Sequence, residues 1–158
     1  MGRNDVMWTD LNYAEPTSGG GIVQTGGSWT TSYAFSHRQI DHLVPGIGVE
    51  MRLDNSGEAK VGIACGPKNT NSIYETEACH YFIYKHLEGT WYIKEKGTPF
   101  DYQPPGISLN VNWFTDVWQL RLDMDGFIEY VQNDNVFYTS TSKPTFPISL
   151  RVDFANSG

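Results

Sequence analysis

The most constraining feature is the run of strand signals in the last third of the chain. Val117-Trp118-Gln119-Leu120-Arg121-Leu122 alternates apolar and polar side chains, the period of a half-buried strand. Asp125-Gly126 is a hairpin turn, and Phe127 to Val131 returns. Asn133-Asp134-Asn135 turns again into Val136-Phe137-Tyr138. Pro144 and Pro147 bracket a bend, and Ile148 to Phe154 closes the pattern with plain alternation. Strands of this length, spaced by turns, predict a sandwich or barrel.

The rest of the chain reads the same way. Strand signals occupy Val6-Met7-Trp8, Ile22-Val23-Gln24, Trp29 to Ser36, Gly48 to Leu53, Lys60 to Ala64, Tyr81 to Tyr84 and Trp91 to Lys94. No convincing helix signal, internal repeat or interdomain linker appears, and residues 1–5 read as a loose end. The 158 residues therefore predict one all-β domain. Aromatics at 14% and charged residues at only 18% exclude the composition of disordered chains. The longest irregular stretch, Thr98 to Trp113, holds Pro99, Pro104, Pro105 and Gly106. Long loops in compact domains are often functional.

Charge narrows the partners. A net charge of −7 repels phosphate backbones and anionic membranes, so neither nucleic-acid binding nor membrane docking is expected. No apolar run suits a membrane-crossing helix, and the N-terminal residues lack the apolar stretch of a signal peptide. Cys65 and Cys79 allow either one disulfide or two buried thiols.

The ordered motifs resemble concanavalin A-like (laminin-G-like) jelly-roll domains of the kind found in bacterial and phage surface proteins. Trp118 to Leu122, Asp125-Gly126 and Glu129 to Asn133 resemble the last hairpins of that family. Phe137-Tyr138-Thr139-Ser140 and Pro144-Thr145-Phe146-Pro147-Ile148 follow its closing pattern. Val6 to Leu11 resembles its opening strand, Thr25 to Trp29 its second turn, and Val61-Gly62-Ile63 with Tyr81 to Tyr84 its middle hairpin. The family often carries Asp-x-Asp before the position of Tyr81, where this chain has Ala78 and His80. The resemblance implies a two-sheet antiparallel β-sandwich, at the cell surface, outside the cell or on a virion. It does not by itself assign function, because this sandwich hosts lectins, hydrolases, adhesins and structural modules.

The chemistry-bearing residues favour binding over catalysis. Glu75 and Glu77 share a strand face and form the nearest approach to a glycosidase carboxylate pair. They read more simply as solvated acids, which ranks a hydrolase or lyase last. Asp123-Met124-Asp125-Gly126 lacks the further ligands of a calcium loop, so its hairpin role suffices. No metal ligand set or cofactor motif is evident, although calcium held by loop carboxylates and carbonyls would suit a glycan-binding sandwich. Sugars present apolar C–H faces to aromatic rings and hydroxyls to Asn and Asp. Trp113 with Asn110, Asn112, Asp101 and Tyr102 is therefore the first expected ligand site, with Trp91 and Trp29 as further stacking rings. The expectation is a non-catalytic, lectin-like module. The alternative is a protein-interaction or structural module of a viral, phage or cell-surface assembly, with oligomerisation open.

Overall fold

In the computed structural model the described residues are 6–27, 32–53, 57–66, 79–86, 88–95, 98–99 and 101–154. They form antiparallel sheets, and the fold is the β-sandwich that the alternation predicts. The strands are β1 (Trp8–Asn12), β2 (Ala14–Pro16), β3 (Ile22–Gln24), β4 (Tyr33–Ser36), β5 (Gly48–Met51), β6 (Ala59–Cys65), β7 (His80–Lys85), β8 (Trp91–Glu95), β9 (Trp118–Leu122), β10 (Ile128–Gln132), β11 (Asn135–Thr139) and β12 (Ile148–Phe154).

Six strands, in the order β1-β4-β12-β6-β7-β8, make one sheet, and four, β11-β10-β9-β5, make the other. Strands β2 and β3 pair as a separate hairpin. Strand β3 is the Ile22-Val23-Gln24 strand signal, whereas β2 carries none in the sequence. Three-residue strands are too short to show a period, and Gly19 and Gly20, with φ of 72° and 76°, close the turn between them.

The core lies between the two large sheets. Val61, Ile63, Tyr81, Ile83, Trp91, Ile93, Ile148 and Val152 from one sheet meet Val49, Trp118, Leu120, Leu122, Ile128 and Tyr130 from the other. Strand alternation puts these residues on the inner faces. Ring contacts fix how the sheets overlap: Trp91 of β8 packs edge-on against Phe137 of β11, centroids 5.5 Å apart. Strand β11 thus lies over β8. Among the described residues the four-stranded sheet ends at β5, so the six-stranded sheet extends beyond it by β4 and β1.

The turns behave as their residues dictate. Asn133 and Asp134 both take positive φ (48° and 66°) between β10 and β11, the backbone of a tight hairpin whose twist matches its strands. Gly126, at φ 91°, completes the turn closed by the Asp123 N–H donating to the Phe127 carbonyl at 2.9 Å. Cys65 and Cys79 are joined by a disulfide, Cα–Cα 5.3 Å, across the β6–β7 connection. That settles the choice between a bridge and two thiols.

Candidate functional site

The expected loop site does not assemble. Trp113 is buried, stacked on Trp118 with centroids 5.0 Å apart. Its indole Nε1–H donates to the Gly89 carbonyl at 2.6 Å. It fills the end of the sandwich and offers no free face to a sugar. Trp91 is likewise in the core. Tyr102 packs edge-on against Tyr138, centroids 6.5 Å apart. Asn110, Asn112 and Asp101 are exposed, whereas Trp113 and Trp91, the rings expected to stack on a sugar, are buried. Asn112 serves the turn: its side-chain oxygen accepts the Phe114 N–H at 3.2 Å, and its own N–H donates to Asp116 at 2.7 Å. Trp29, Glu75 and Glu77 lie outside the described residues.

The long loop instead closes the β8 edge. Gln103 Nε2 donates to the Trp91 carbonyl at 2.7 Å, and the Ile93 N–H donates to the Tyr102 carbonyl at 2.9 Å. The Glu95 N–H donates to Thr98 Oγ1 at 2.9 Å, and that hydroxyl donates back to the Glu95 carbonyl at 2.8 Å. Alternate residues of an edge strand point their backbone groups outward. Here those of Trp91, Ile93 and Glu95 find partners in residues 98–103.

The chemistry concentrates on the outer face of the six-stranded sheet. Cross-strand register aligns Tyr33, Asp153, Lys60, Tyr84 and Tyr92 in one row over five strands. A second row carries Phe35, Arg151, Gly62, Phe82 and Lys94. Gly62 is required there, since a Cβ would stand 1.9 Å from the Tyr81 carbonyl oxygen.

The two rows interlock through charge and rings. Arg151 grips Asp153 through Nε and Nη2, both at 2.8 Å, the bidentate geometry that suits a buried pair. Its guanidinium lies 5.1 Å from the Phe35 ring centroid and 5.9 Å from that of Tyr33. Lys60 Nζ sits 4.9 Å over the Tyr84 ring. Burial decides the protonation energetics. Desolvation pulls Lys60 down to about 8, against the pull of Asp153. It pushes Asp153 up to about 6, against Arg151. His80, stacked on Phe82 at 5.1 Å, is pushed down to about 4 by desolvation and by Arg151, Lys60 and Lys94. Desolvation also lowers Lys94.

The face opens at its β7–β8 end. Tyr84, His86 and Tyr92 form a three-ring cluster with centroids 5.7 to 6.2 Å apart. Tyr92 is half-buried, and the His86 side chain is 32% exposed. Below them Glu58 accepts the Tyr84 hydroxyl at 3.0 Å and faces His86 Nε2 at 3.1 Å. Two accessible rings beside a carboxylate can pack an apolar C–H face and take hydroxyl hydrogen bonds. Sequence reasoning missed this cluster. The available signal was β7, where Tyr81-Phe82-Ile83-Tyr84 does not alternate, as expected of a strand buried on both faces.

A second feature is an open cleft of about 960 Å³ beside β5. Its lining includes Ile63, Ile148 and Leu150, Ile47 to Glu50, Met7, Gly19 and Gly20, and His37 with Arg38.

No family model matches this chain. No curated protein matches it either. Among solved structures, the potassium-bound form of the Emp46p carbohydrate recognition domain is similar. The TM-score is 0.60 at 13% identity, over 94% of this chain and 81% of that one. At that identity the likeness shows the fold alone, a two-sheet β-sandwich. Among the described residues no group of three or more His, Cys, Asp or Glu side chains is placed to hold a metal ion, and no helix is long and apolar enough to cross a membrane.

Proposed function

We propose that this chain is a non-catalytic glycan-binding module whose sugar packs on Tyr92 and His86 at the open end of the six-stranded sheet. The observation that carries this reading is the ring cluster above Glu58. It combines accessible aromatic faces with a largely covered carboxylate at the β7–β8 end of the sheet, where small-ligand sites gain orientation from a few fixed polar groups. The fold shared with a carbohydrate recognition domain supports it. A ring stacked on a sugar contributes through contact area, so removing it weakens binding without touching the core.

The test is a glycan array probed with the parent chain and with Tyr92→Ala, each in calcium and in chelator. The expected result is a defined set of bound glycans, weakened about tenfold by Tyr92→Ala, or ~1.4 kcal/mol. Silence on the array in both buffers, or equal binding by Tyr92→Ala, would overturn the assignment.

A further inference from the structure

We propose that the cleft beside β5 is a second binding site, for a long-chain aliphatic carboxylate whose chain packs on the aliphatic lining and whose head pairs with Arg38. Three observations carry this.

The first is the lining. The cleft holds about 960 Å³, at the upper end of the roughly 300–1,000 Å³ of small-molecule sites. Val49, Ile63 and Ile148 are buried, Ile40, Ile47 and Leu150 are half-buried, and all six line it. None of the described residues lining it is Phe, Tyr or Trp, although aromatics make up 14% of the chain. A sugar needs a flat ring to stack on, and the cluster of Tyr84, His86 and Tyr92 offers that elsewhere. Branched aliphatic walls suit a polymethylene chain instead, which gains in proportion to the apolar area it hides from water.

The second is charge. Arg121, also at the cleft, is held by Glu129 at 2.7 Å, and the Glu50 carboxylate accepts from Gln119 Nε2 at 2.9 Å. Arg38 lines the cleft, is exposed, and makes no ion pair among the described residues. The lining thus grades from buried aliphatic side chains to an exposed guanidinium, the same order as an amphiphile with an anionic head. A guanidinium takes a carboxylate through two parallel hydrogen bonds. The net charge of −7 disfavours an anionic bilayer surface, so the ligand is the free acid rather than a lipid in a membrane.

The third is preorganisation. The segment bearing Arg38 is tied to β12 on both sides of that residue. Ser36 Oγ accepts the Leu150 N–H at 3.0 Å and donates to the Arg38 carbonyl at 2.8 Å. Ile40 and Ile148 exchange both backbone hydrogen bonds, at 2.8 and 2.7 Å. The His37 N–H donates to the Met7 carbonyl at 2.7 Å, which joins the same segment to the start of β1. The backbone of Arg38 is therefore fixed beside the aliphatic lining before a ligand arrives, and less ordering opposes binding.

The experiment is calorimetric titration of dodecanoate, below its micellar concentration, into the parent chain and into Arg38→Gln. Dodecanoate is expected to bind the parent at one site, and Arg38→Gln to weaken it about tenfold. Decanoate, two CH2 groups shorter, is also expected to bind about tenfold more weakly than dodecanoate. Methyl NMR on the parent locates the chain independently of any variant: the Ile63, Ile148 and Leu150 methyls are expected to shift on adding dodecanoate. Vesicles of phosphatidylcholine with phosphatidylserine are expected to leave the chain in solution on sedimentation. No heat and no methyl shift, equal binding by Arg38→Gln, equal binding of the two acids, or shifts confined to other parts of the sandwich would overturn the proposal. So would sedimentation with the vesicles that Arg38→Gln abolishes, since the ligand would then be a membrane lipid. Tyr92→Ala is expected to bind dodecanoate like the parent, so this site and the glycan site fail separately.

Discussion

Two edges of this sandwich are built differently. At β8, residues 98–103 satisfy the outward backbone groups through Gln103, Tyr102 and Thr98. At β5, Gly48 and Glu50 are exposed and line a cleft, and among the described residues no strand pairs with that edge. Unpaired edges invite strand addition, and proteins ordinarily cover or charge them. The contrast teaches that the proline-rich loop is edge protection for β8.

The largest expected effect breaks the closed end. Trp113→Ala empties the space against Trp118 and should cost about 4 kcal/mol in denaturant unfolding. A loss under about 1 kcal/mol would instead mark Trp113 as a surface residue of the kind the sequence alone implies.

Glu95 sharpens the same region. It is buried on β8 among the phenols of Tyr130 and Tyr138, and desolvation pushes its carboxyl up to about 7 from an ordinary value of 4.5. Between those values folding takes up a proton, so stability falls as pH rises through the window and the loss is complete above 7. Glu95→Gln should therefore gain about 3 kcal/mol over the parent at pH 8 and almost nothing at pH 4. Thermal melts at the two pH values check it. Comparing variant with parent cancels His80, whose lowered value makes stability rise with pH in its own window, 4 to 6.5. An equal gain at both pH values would show that the carboxylate is not what is destabilising.

A smaller effect tests the closed edge. Gln103→Ala removes one hydrogen bond from the closed edge and should cost about 1 kcal/mol.

How legible this was depended on the range of the signal. The β9–β12 hairpins were readable because alternation and the Asp125-Gly126 and Asn133-Asp134 turns are local. The role of residues 98–113 was not, because their irregularity shows no partner. Tyr102 meets Ile93, and Trp113 meets Gly89, only through the fold. Alternation also misleads on β12: Arg151 and Asp153 read as solvent-facing positions, yet both are almost wholly buried. Period two separates the faces of a strand but does not say which face is covered. The ring cluster of Tyr84, His86 and Tyr92 needs both β7 and β8 in register, so no single segment displays it.

The contrast between edges is tested most directly by amide hydrogen exchange on the free chain. The Ile93 amide, held by the Tyr102 carbonyl, is predicted to exchange slowly, and the Gly48 amide, on an edge that no described strand pairs with, to exchange much faster. Protection of Gly48 equal to that of Ile93 would contradict the contrast.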